Sequence, residues 1–314
     1  MGRRRKSGRS VNGVLLLNKP IGFTSNKVVQ KVRWLFDANR AGHTGALDPL
    51  ASGVLPLCFG EATKFSQYLL DSDKYYRSTY TFGVSTATGD SEGDIISQQD
   101  ASNITKNQVE QAIKSFQGEI DQVPSMYSAL KHNGQPLYKL ARQGIEIDRP
   151  ARQITIFNYK IIDFRSGVHP QVDVEVHCSK GTYIRTLAED LGTALGCGAH
   201  VSALHRFKAG PFDEQQTITL DELEKLRDQG TVEQLDQLLK PVDTPVLDYP
   251  AVEFDQIMAG YFQLGQSITL NKAFRQGQEG DIVRVFREDG AFLGIGTVTE
   301  DGKIAPKRLI VENA

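Results

Sequence analysis

The sequence predicts an α/β (α+β) protein in which a large unit of mixed strands and helices precedes a small all-β unit. Up to Leu239, segments with alternating apolar residues are interspersed with segments of 3.6-residue apolar period, the patterns of strands and of amphipathic helices. Pro241, Pro245 and Pro250 then interrupt both patterns, as in a linker. Beyond them, short alternating runs joined by Asp-Gly turns indicate a small antiparallel barrel or meander.

Composition limits the classes of protein to which the chain can belong. Its 314 residues, 39% of them hydrophobic and 24% charged, suffice for one large domain plus a small one. No apolar run approaches the roughly 20 residues of a membrane span, so we expect a soluble protein without a membrane partner. The three cysteines form no Cys-x-x-Cys pair, and neither zinc-binding spacing nor a secretory signal is present, which favours the cytoplasm.

The net charge of -2 conceals an uneven distribution along the chain. Residues 1–77 carry 13 basic and 5 acidic side chains, whereas residues 211–314 carry 10 basic and 19 acidic ones. A locally basic surface can bind a polyanion whatever the overall charge. The alternative is an ordinary solvated face preceded by a basic arm at residues 1–10, and charge alone favours that alternative.

The first predicted elements are a strand and a helix. Residues 14–17 form an apolar run that ends in a turn. Thr24 or Ser25 then caps a helix, because a hydroxyl can accept a hydrogen bond from the free N–H groups of the first turn. The apolar stripe of this helix consists of Val28, Val32, Leu35 and Phe36.

The next segment, GHTGALDPLASGVLPLCFGEATK at residues 42–64, places Asp48 among small residues and before an apolar run. Pro49 keeps the aspartate out of the helical region, and the glycines leave space for a ligand or a second backbone. The apolar run at residues 53–59 predicts a buried strand. The carboxylate is therefore expected at the rim of a pocket with a hydrophobic floor, where desolvation raises its pKa unless a cation compensates.

Two other interpretations of this segment stay open. Asp-Pro is a frequent turn, in which Asp48 would only cap its own loop. A phosphate-binding loop is the weaker alternative, because the Gly-Lys-Ser/Thr ending that such loops need is missing.

A strand rich in aromatic and hydroxyl residues follows at residues 75–82. Its alternation places Tyr76 on one face and Tyr75 on the other, so the two phenols are separable by geometry. A polar loop at residues 85–94 comes next.

A capped helix and a basic excursion make up the middle of the chain. Thr105 and Gln108 form a capping box for a helix that is expected to stop at Gly118. Residues 124–152 mix Ser, Tyr, Gly and Pro with basic side chains and contain one short helical pattern at residues 137–141. We interpret this segment as a protruding excursion.

The last part of the large unit contains a strand and three helices. The valines of residues 172–176 alternate as in a strand, which leads into a helix with Arg185 in its first turn. Two helical patterns with acidic outer faces occupy residues 220–239. The boundary to the small unit is expected near Asp248.

Several long segments resemble the signature motifs of the TruB-type family of bacterial tRNA pseudouridine-55 synthases. The most specific is GHTGALDPLASG at residues 42–53. Others follow the family order at residues 13–20, 74–77, 127–131 and 180–187. The resemblance covers essentially the whole chain, and several long motifs in one order are far more specific than any single short pattern.

The resemblance implies an architecture. It implies a pseudouridine synthase catalytic domain at residues 11–247, built on a large mixed β-sheet with flanking helices and a cleft. It also implies a thumb insertion at about 124–152 and a small C-terminal PUA-like β-barrel at 248–314. The residues 1–10 are expected to form a basic N-terminal arm.

The resemblance also implies an activity. The family isomerises a uridine in the T loop of tRNA by flipping it out, breaking the glycosidic bond, rotating the uracil and rejoining it through carbon. It uses no cofactor or metal, and a stand-alone member needs no guide RNA and no obligatory protein partner. Asp48 matches the catalytic aspartate. The sequence leaves open whether Asp48 adds covalently to the base or the sugar, or removes a sugar proton to give a glycal.

Two further catalytic assignments follow from the resemblance. Arg185 matches the family arginine that would keep Asp48 ionised. Tyr76 matches the tyrosine that stacks on the flipped uracil, and its phenol is placed to assist proton transfer at C5. From spacing alone, Arg185 would pair with Glu189 on a helix surface, and Tyr76 would be an ordinary strand residue.

The remaining candidate residues are expected to bind the RNA. His43, Tyr183 and Leu204 match pocket residues of the family. The proposed phosphate contacts are Lys64, Lys131, Arg142 and Arg149. The family match gives Lys19 and Pro20 a mainly structural role. His205 stands where a second arginine is common, and the acidity of the C-terminal part argues against assuming strong RNA binding there.

Two rival functions stay open at this level. One is a guide-dependent pseudouridine synthase of the archaeal and eukaryotic type, which would share Asp48 but need a guide RNA and partner proteins. The other is a non-catalytic protein that binds or folds RNA and retains the pocket. The thumb-like insertion favours a stand-alone enzyme.

Overall fold

The computed structural model describes residues 8–269 and 278–311, which form a ten-stranded sheet, a five-stranded sheet, two two-stranded sheets (β5 with β6 and β8 with β9) and flanking helices. The strands of the N-terminal part are β1 (Gly13–Lys19), β2 (Ala41–His43), β3 (Ala51–Phe59), β4 (Lys74–Phe82), β5 (Val84–Thr86), β6 (Ile95–Gln98), β7 (Gly118–Gln122), β8 (Lys131–His132), β9 (Gln135–Pro136), β10 (Arg152–Arg165), β11 (Gln171–Cys178), β12 (Ala199–Ala209), β13 (Phe212–Asp213) and β14 (Ile218–Thr219). The α-helices are α1 (Ser25–Leu35), α2 (Ser66–Leu70), α3 (Lys106–Ile113), α4 (Leu137–Ala141), α5 (Ile184–Ala194), α6 (Leu220–Gln229), α7 (Val232–Asp236) and α8 (Gln256–Gln263).

The large sheet has ten strands in a mixed arrangement. Its main path runs β14-β1-β3-β12-β4-β11-β10-β7, while β2 pairs with β3 and β13 pairs with β12. The strand β12 lies parallel to β3 and antiparallel to β4, so it joins two segments that are far away from it in sequence. The predicted mixed α/β fold is confirmed.

The two faces of β4 differ as its alternation predicts. Tyr76 and Tyr80 are buried on the inner face, whereas Arg77 on the outer face is exposed. The inner face packs with α1 and α5 around the main hydrophobic core. Residues 8–269 and 278–311 include no helix that is long and apolar enough to cross a membrane.

The helix boundaries follow the predicted caps at their N-terminal ends. Thr24 caps α1, its side chain accepting a hydrogen bond from the Lys27 backbone N–H at 3.2 Å. The capping box of Thr105 and Gln108 is present on α3. The predicted end of that helix is wrong: α3 ends at Ile113, a 3-10 turn follows, and Gly118 with a φ of +87° opens β7.

The excursion lies outside the ten-stranded sheet. It contains the two-stranded hairpin of β8 and β9 and then α4, whose bounds coincide with the predicted helical pattern. The two acidic helices before the proline-rich segment are also confirmed, as α6 and α7.

The C-terminal part is an open, curled five-stranded sheet. Its strands are β15 (Ala251–Phe254), β16 (Ile268–Thr269), β17 (Ile282–Arg287), β18 (Phe292–Val298) and β19 (Lys303–Leu309). Gly290 and Gly302 have positive φ in the predicted Asp-Gly turns. The arrangement is antiparallel except that β15 pairs with β17 in parallel, which the local pattern missed.

The N-terminal part and the five-stranded C-terminal sheet contact each other through a small apolar cluster. Phe65, Val246 and Ile295 are buried at its centre. Arg284 donates to Asp243 across the same junction at 2.9 Å. At the other end of the chain, residues 1–7 of the expected arm lie outside the described residues, while Arg9 is paired with Asp236 at 2.8 Å.

Candidate active site

Asp48 lies in the loop between β2 and β3. Hydrogen bonds fix the backbone of this loop at Leu47 and at Asp48 itself. The Ser25 hydroxyl bonds both polar groups of Leu47, accepting from its N–H at 2.8 Å and donating to its carbonyl at 3.0 Å. The Ala51 N–H donates to the Asp48 carbonyl at 3.0 Å. Gly45 has a φ of +123°, which a residue with a Cβ rarely adopts. These bonds direct the Asp48 side chain, which is 41% exposed, into a cavity.

Arg185 occupies the first turn of α5 and meets Asp48 inside the protein. Its side chain is only 5% exposed, and its Nε lies 3.0 Å from Oδ2 of Asp48. Its two terminal nitrogens donate to the carbonyls of Thr88 at 2.7 Å and Tyr127 at 2.9 Å. The expected pairing of Asp48 with Arg185 is therefore confirmed, and the alternative surface pair with Glu189 is not formed.

Asp90 is a second carboxylate at this guanidinium. Its side chain is 5% exposed, and its Oδ2 lies 3.7 Å from Nη1 of Arg185. The Thr88 hydroxyl donates to the other oxygen of Asp90 at 2.5 Å. Sequence reasoning missed Asp90, because it lies in a segment that showed only the composition of a polar loop.

Four nearby influences set the charge of Asp48. Burial raises its pKa above the ordinary value and is the largest cause. The Arg185 cation lowers the pKa, Asp90 raises it, and Lys19 lowers it again. The balance is a raised pKa, so Asp48 is a carboxylate that protonates more readily than a surface aspartate.

Lys19 fixes the strands beneath Asp48. It is fully buried, and its Nζ donates to the carbonyls of Pro20 at 2.8 Å and Ala51 at 2.6 Å. Burial lowers the pKa of Lys19 to about 8. These contacts agree with a mainly structural role.

The cavity in front of Asp48 has a volume of about 340 Å³. Such a volume is in the range of small-molecule sites. The side chains that give it chemical character are Asp48, Tyr76, Tyr183, Arg185, Leu204 and Arg206. The cavity therefore has charged groups as well as aromatic and aliphatic walls. Such a lining is suited to binding a planar polar ring.

The two adjacent tyrosines of β4 face opposite sides of the sheet, as predicted. Tyr76 is 8% exposed and lines the cavity. Tyr75 stacks on His177 on the other face, with ring centroids 3.9 Å apart. Of the two, only Tyr76 can contact a molecule in the cavity.

Arg206 lies in the floor of the cavity and was not among the candidate residues. It is 1% exposed, and its Nε donates to the Val54 carbonyl at 2.8 Å. A terminal nitrogen donates to the Gly45 carbonyl at 3.1 Å. The sequence offered only a weak signal, a basic residue two positions after Leu204 in an otherwise ordinary strand.

The other pocket candidates divide into two groups. Tyr183 and Leu204 line the cavity. His43 does not: it lies in β2, and burial lowers its pKa. Its Nδ1 is buried and has no hydrogen-bond partner among residues 8–269 and 278–311.

The predicted phosphate contacts are scattered. Lys131 is exposed in β8, and the Arg142 guanidinium lies 5.8 Å from the Tyr138 ring centre. Arg149 is largely covered and donates to the Ile147 carbonyl at 2.9 Å.

Lys64 has a different setting from the other three. It lies at the junction of the two sheets, where its Nζ is 2.6 Å from Glu61 and 2.9 Å from the Leu309 carbonyl. Both partners favour a structural role over a phosphate contact.

His205, where the sequence departs from the family pattern, belongs to the outer face. Its Nδ1 is hydrogen-bonded to the Ser52 hydroxyl at 2.8 Å, and its Nε2 to Glu214 at 2.7 Å. Within the described ranges, no group of three or more His, Cys, Asp or Glu side chains could hold a metal ion.

Comparison with protein-family models matches almost the whole chain. A model of the "TruB family pseudouridylate synthase (N terminal domain)" matches residues 33–184. A "tRNA pseudouridylate synthase B C-terminal domain" matches residues 185–247, and "Pseudouridine synthase II TruB, C-terminal" matches residues 250–310.

Curated proteins and solved structures agree with the family models. The chain is 53% identical to tRNA pseudouridine synthase B of Saccharophagus degradans over 313 residues, which is 100% of both chains. It is 50% identical over 320 residues to the protein of the same name from Yersinia pestis, covering 100% of this chain and 96% of the other. The crystal structure of a Cbf5-Nop10-Gar1 complex aligns with a TM-score of 0.68 at 27% identity, covering 96% of this chain and 84% of that one.

Proposed function

The chain belongs to the TruB family of pseudouridine synthases, and from this premise we propose that it converts uridine 55 in the T loop of tRNA to pseudouridine. The close relatives are named tRNA pseudouridine synthase B over their full length, which supports tRNA as the substrate. We also propose that it acts in the cytoplasm as a stand-alone enzyme, without a cofactor, a guide RNA or an obligatory protein partner.

One observation carries the proposal. The carboxylate of Asp48, the guanidinium of Arg185 and the ring of Tyr76 converge on one cavity of about 340 Å³. The cation opposes the protonation that burial favours, and the aromatic ring offers a surface on which a pyrimidine can stack. The three residues are those whose roles the family motifs assign.

The reaction needs a uridine that has left its RNA fold. Extraction costs a few kcal/mol of stacking and pairing, which contacts in the cavity must offset. Tyr76, Tyr183 and Leu204 supply those contacts. Asp48 then serves in the cleavage of the glycosidic bond, either by adding to the base or the sugar or by removing a sugar proton.

The parts of the chain have separate roles in this proposal. Residues 11–247 form the catalytic domain, with residues 124–152 as a thumb that holds the T arm. Residues 248–314 form a PUA-like domain, and residues 1–10 are a basic arm. The RNA sugar-phosphate backbone is contacted by Lys131, Arg142 and Arg149. Such contacts recognise the shape of the RNA, as is usual for folded RNA.

The test uses the purified full chain and an unmodified tRNA transcript with tritium at C5 of uridine. We expect tritium release without added guide, with the product mapped to position 55 alone. Asp48→Asn stops release while RNA binding survives, because the carboxylate is lost but the shape is kept. Asp228→Asn, on the exposed side of α6, is the matched control and keeps full activity.

The same assay separates the rival functions. Release that appears only after a guide RNA and partner proteins are added would identify a guide-dependent enzyme. Tight tRNA binding without any release would identify an RNA-binding or RNA-folding protein. Unchanged activity in Asp48→Asn would remove the catalytic assignment of Asp48.

A further inference from the structure

Gln122 is a buried, uncharged side chain at the last position of β7, just before the excursion at residues 124–152. It is only 2% exposed. Its backbone lies opposite Arg152 of β10, the residue at which the excursion returns to the sheet. A side-chain amide carries both hydrogen-bond donors and an acceptor, so a buried amide needs partners of both kinds.

Both partners of this amide belong to the backbone of Tyr183. Nε2 of Gln122 donates to the Tyr183 carbonyl at 3.1 Å, and Oε1 accepts from the Tyr183 N–H at 2.8 Å. The Leu187 N–H donates to the same Tyr183 carbonyl at 3.1 Å, which begins the hydrogen-bond series of α5. Gln122 therefore holds the residue from which α5 starts.

Tyr183 precedes the first turn of α5, and Arg185 lies within that turn. The Tyr183 backbone is extended, with φ of −101° and ψ of 108°, and its side chain does not cap the helix. The first turn of a helix has N–H groups without intrahelical partners, so an uncapped turn frays more easily. Gln122 fixes the start of α5 where no capping side chain does. The position of Arg185 relative to Asp48 depends on that start.

The loop before α5 is also held at its other end, by β10. The Ser179 N–H donates to the Thr155 carbonyl at 2.9 Å, and the Ser179 hydroxyl accepts from the Thr155 N–H at 2.8 Å. These bonds precede Gly181, whose φ is +79°. Among the hydrogen bonds that join residues 179–183 to the sheet, those of Gln122 are therefore the nearest to Arg185.

We propose that Gln122 is a positioning residue that acts through Tyr183 and holds the Arg185 guanidinium where it can compensate the charge of Asp48. This inference rests on the proposed function. Gln122 does not line the cavity, so it touches neither the substrate nor the reacting atoms. The charged groups that face Asp48 are Arg185 of α5, Asp90 of the loop after β5 and Lys19 of β1. Of these, only Arg185 lies next to the residue that Gln122 bonds.

The first arm of the test measures C5 tritium release in a single turnover. Gln122→Met keeps a side chain of similar length but removes both hydrogen bonds. We expect release near neutral pH to slow about tenfold or more, because small displacements of catalytic groups have large kinetic effects. The affinity for tRNA should not change, since Gln122 is buried. Gln117→Met is the matched control: it removes a glutamine hydrogen bond to the Tyr159 carbonyl and should keep the wild-type rate.

The second arm uses pH to separate positioning from a loss of folded protein. If Arg185 is displaced, the carboxylate of Asp48 is compensated less well, so the acid limb of the rate should move to higher pH. Arg185→Gln should move the limb in the same direction, and Gln122→Met should add nothing in the Arg185→Gln background. A mere loss of folded protein lowers the rate by one factor at every pH and leaves the limb in place.

The third arm does not depend on activity. Hydrogen exchange of the free protein, followed by mass spectrometry, reports the backbone N–H groups at the start of α5. In Gln122→Met, the Tyr183 N–H loses its partner, so peptides that cover residues 180–187 should exchange about tenfold faster or more. Peptides that cover α6 should exchange as in the wild type.

Three results would overturn the inference. They are an unmoved acid limb in Gln122→Met, a rate loss that is just as large in the Arg185→Gln background, and unchanged exchange at residues 180–187. If Gln122→Met does not fold, Gln122→Asn takes its place in all arms. It keeps an amide on a side chain one methylene shorter, and smaller effects in the same directions are expected. A wild type that releases no tritium would instead refute the proposed function, while exchange would still show whether Gln122 fixes the start of α5.

Discussion

Arg185 holds Asp48 at 3.0 Å while the same guanidinium lies 3.7 Å from the buried carboxylate of Asp90. The cation is thus shared between a carboxylate that opens onto the cavity and one that is closed off from solvent. The charge of Asp48 depends on how this sharing is balanced. Each of the two carboxylates can be removed by substitution, so the effect of each on the shared cation can be measured.

The pH dependence of catalysis should follow Asp48. Its raised pKa places the acid limb of kcat/KM above the ordinary aspartate value of 3.8, because activity falls as pH drops through that raised pKa. Arg185→Gln removes a cation that lowers the pKa, so its limb should move to higher pH. Asp90→Asn removes an anion that raises the pKa, so its limb should move to lower pH.

Profiles of kcat/KM across the acid range for the three proteins check this prediction. Limbs that coincide, or that move in the same direction in both variants, would contradict the assignment of the limb to Asp48.

The stability of the fold should depend strongly on Arg185. Arg185→Met leaves the buried Asp90 without its cation, which is expected to lower the free energy of unfolding by about 3–5 kcal/mol. Arg165→Met is the control, because its pair with Asp173 lies on the surface and is worth about 0–1 kcal/mol. Urea unfolding near neutral pH measures both. Equal losses in the two variants would show that burial of the Arg185 pair has no energetic consequence.

The two neighbouring tyrosines should differ sharply in function. Tyr76→Phe keeps the ring but loses the phenol, so single-turnover tritium release should fall by about 10²–10⁴-fold while tRNA binding is retained. Tyr75→Phe should leave the rate near that of the wild type, since Tyr75 stacks on His177 on the outer face. A large rate loss in Tyr75→Phe would count against the proposed orientation of the substrate.

Two of the candidate phosphate contacts should differ in their effect on the salt dependence of tRNA binding. Lys131→Gln, on the exposed hairpin, should weaken tRNA binding and reduce the slope of log K against log salt by about 1. Lys64→Gln should leave that slope unchanged, because the Lys64 ammonium is bonded to Glu61 and the Leu309 carbonyl. A reduced slope in Lys64→Gln would restore Lys64 as a phosphate contact.

Local patterns predicted those features whose causes lie within a few residues. The Thr24 cap, the capping box of Thr105 and the helix α4 depend on neighbours in sequence, and all three are confirmed. The end of α3 and the parallel pairing of β15 with β17 were missed. The pairing of β15 with β17 joins segments about thirty residues apart, which no local pattern shows.

By itself, the sequence determined the alternation that separates Tyr76 from Tyr75, the placement of Arg185 at the start of a helix, and the family to which the chain belongs. Only the tertiary structure decided that Asp90 shares the Arg185 cation and that Arg206 lines the same cavity as Tyr76. The physical reason is that a buried ion or hydrogen bond takes its partner from whatever segment the sheet order brings alongside. Here β12 lies between β3 and β4, an arrangement that no short stretch of sequence specifies.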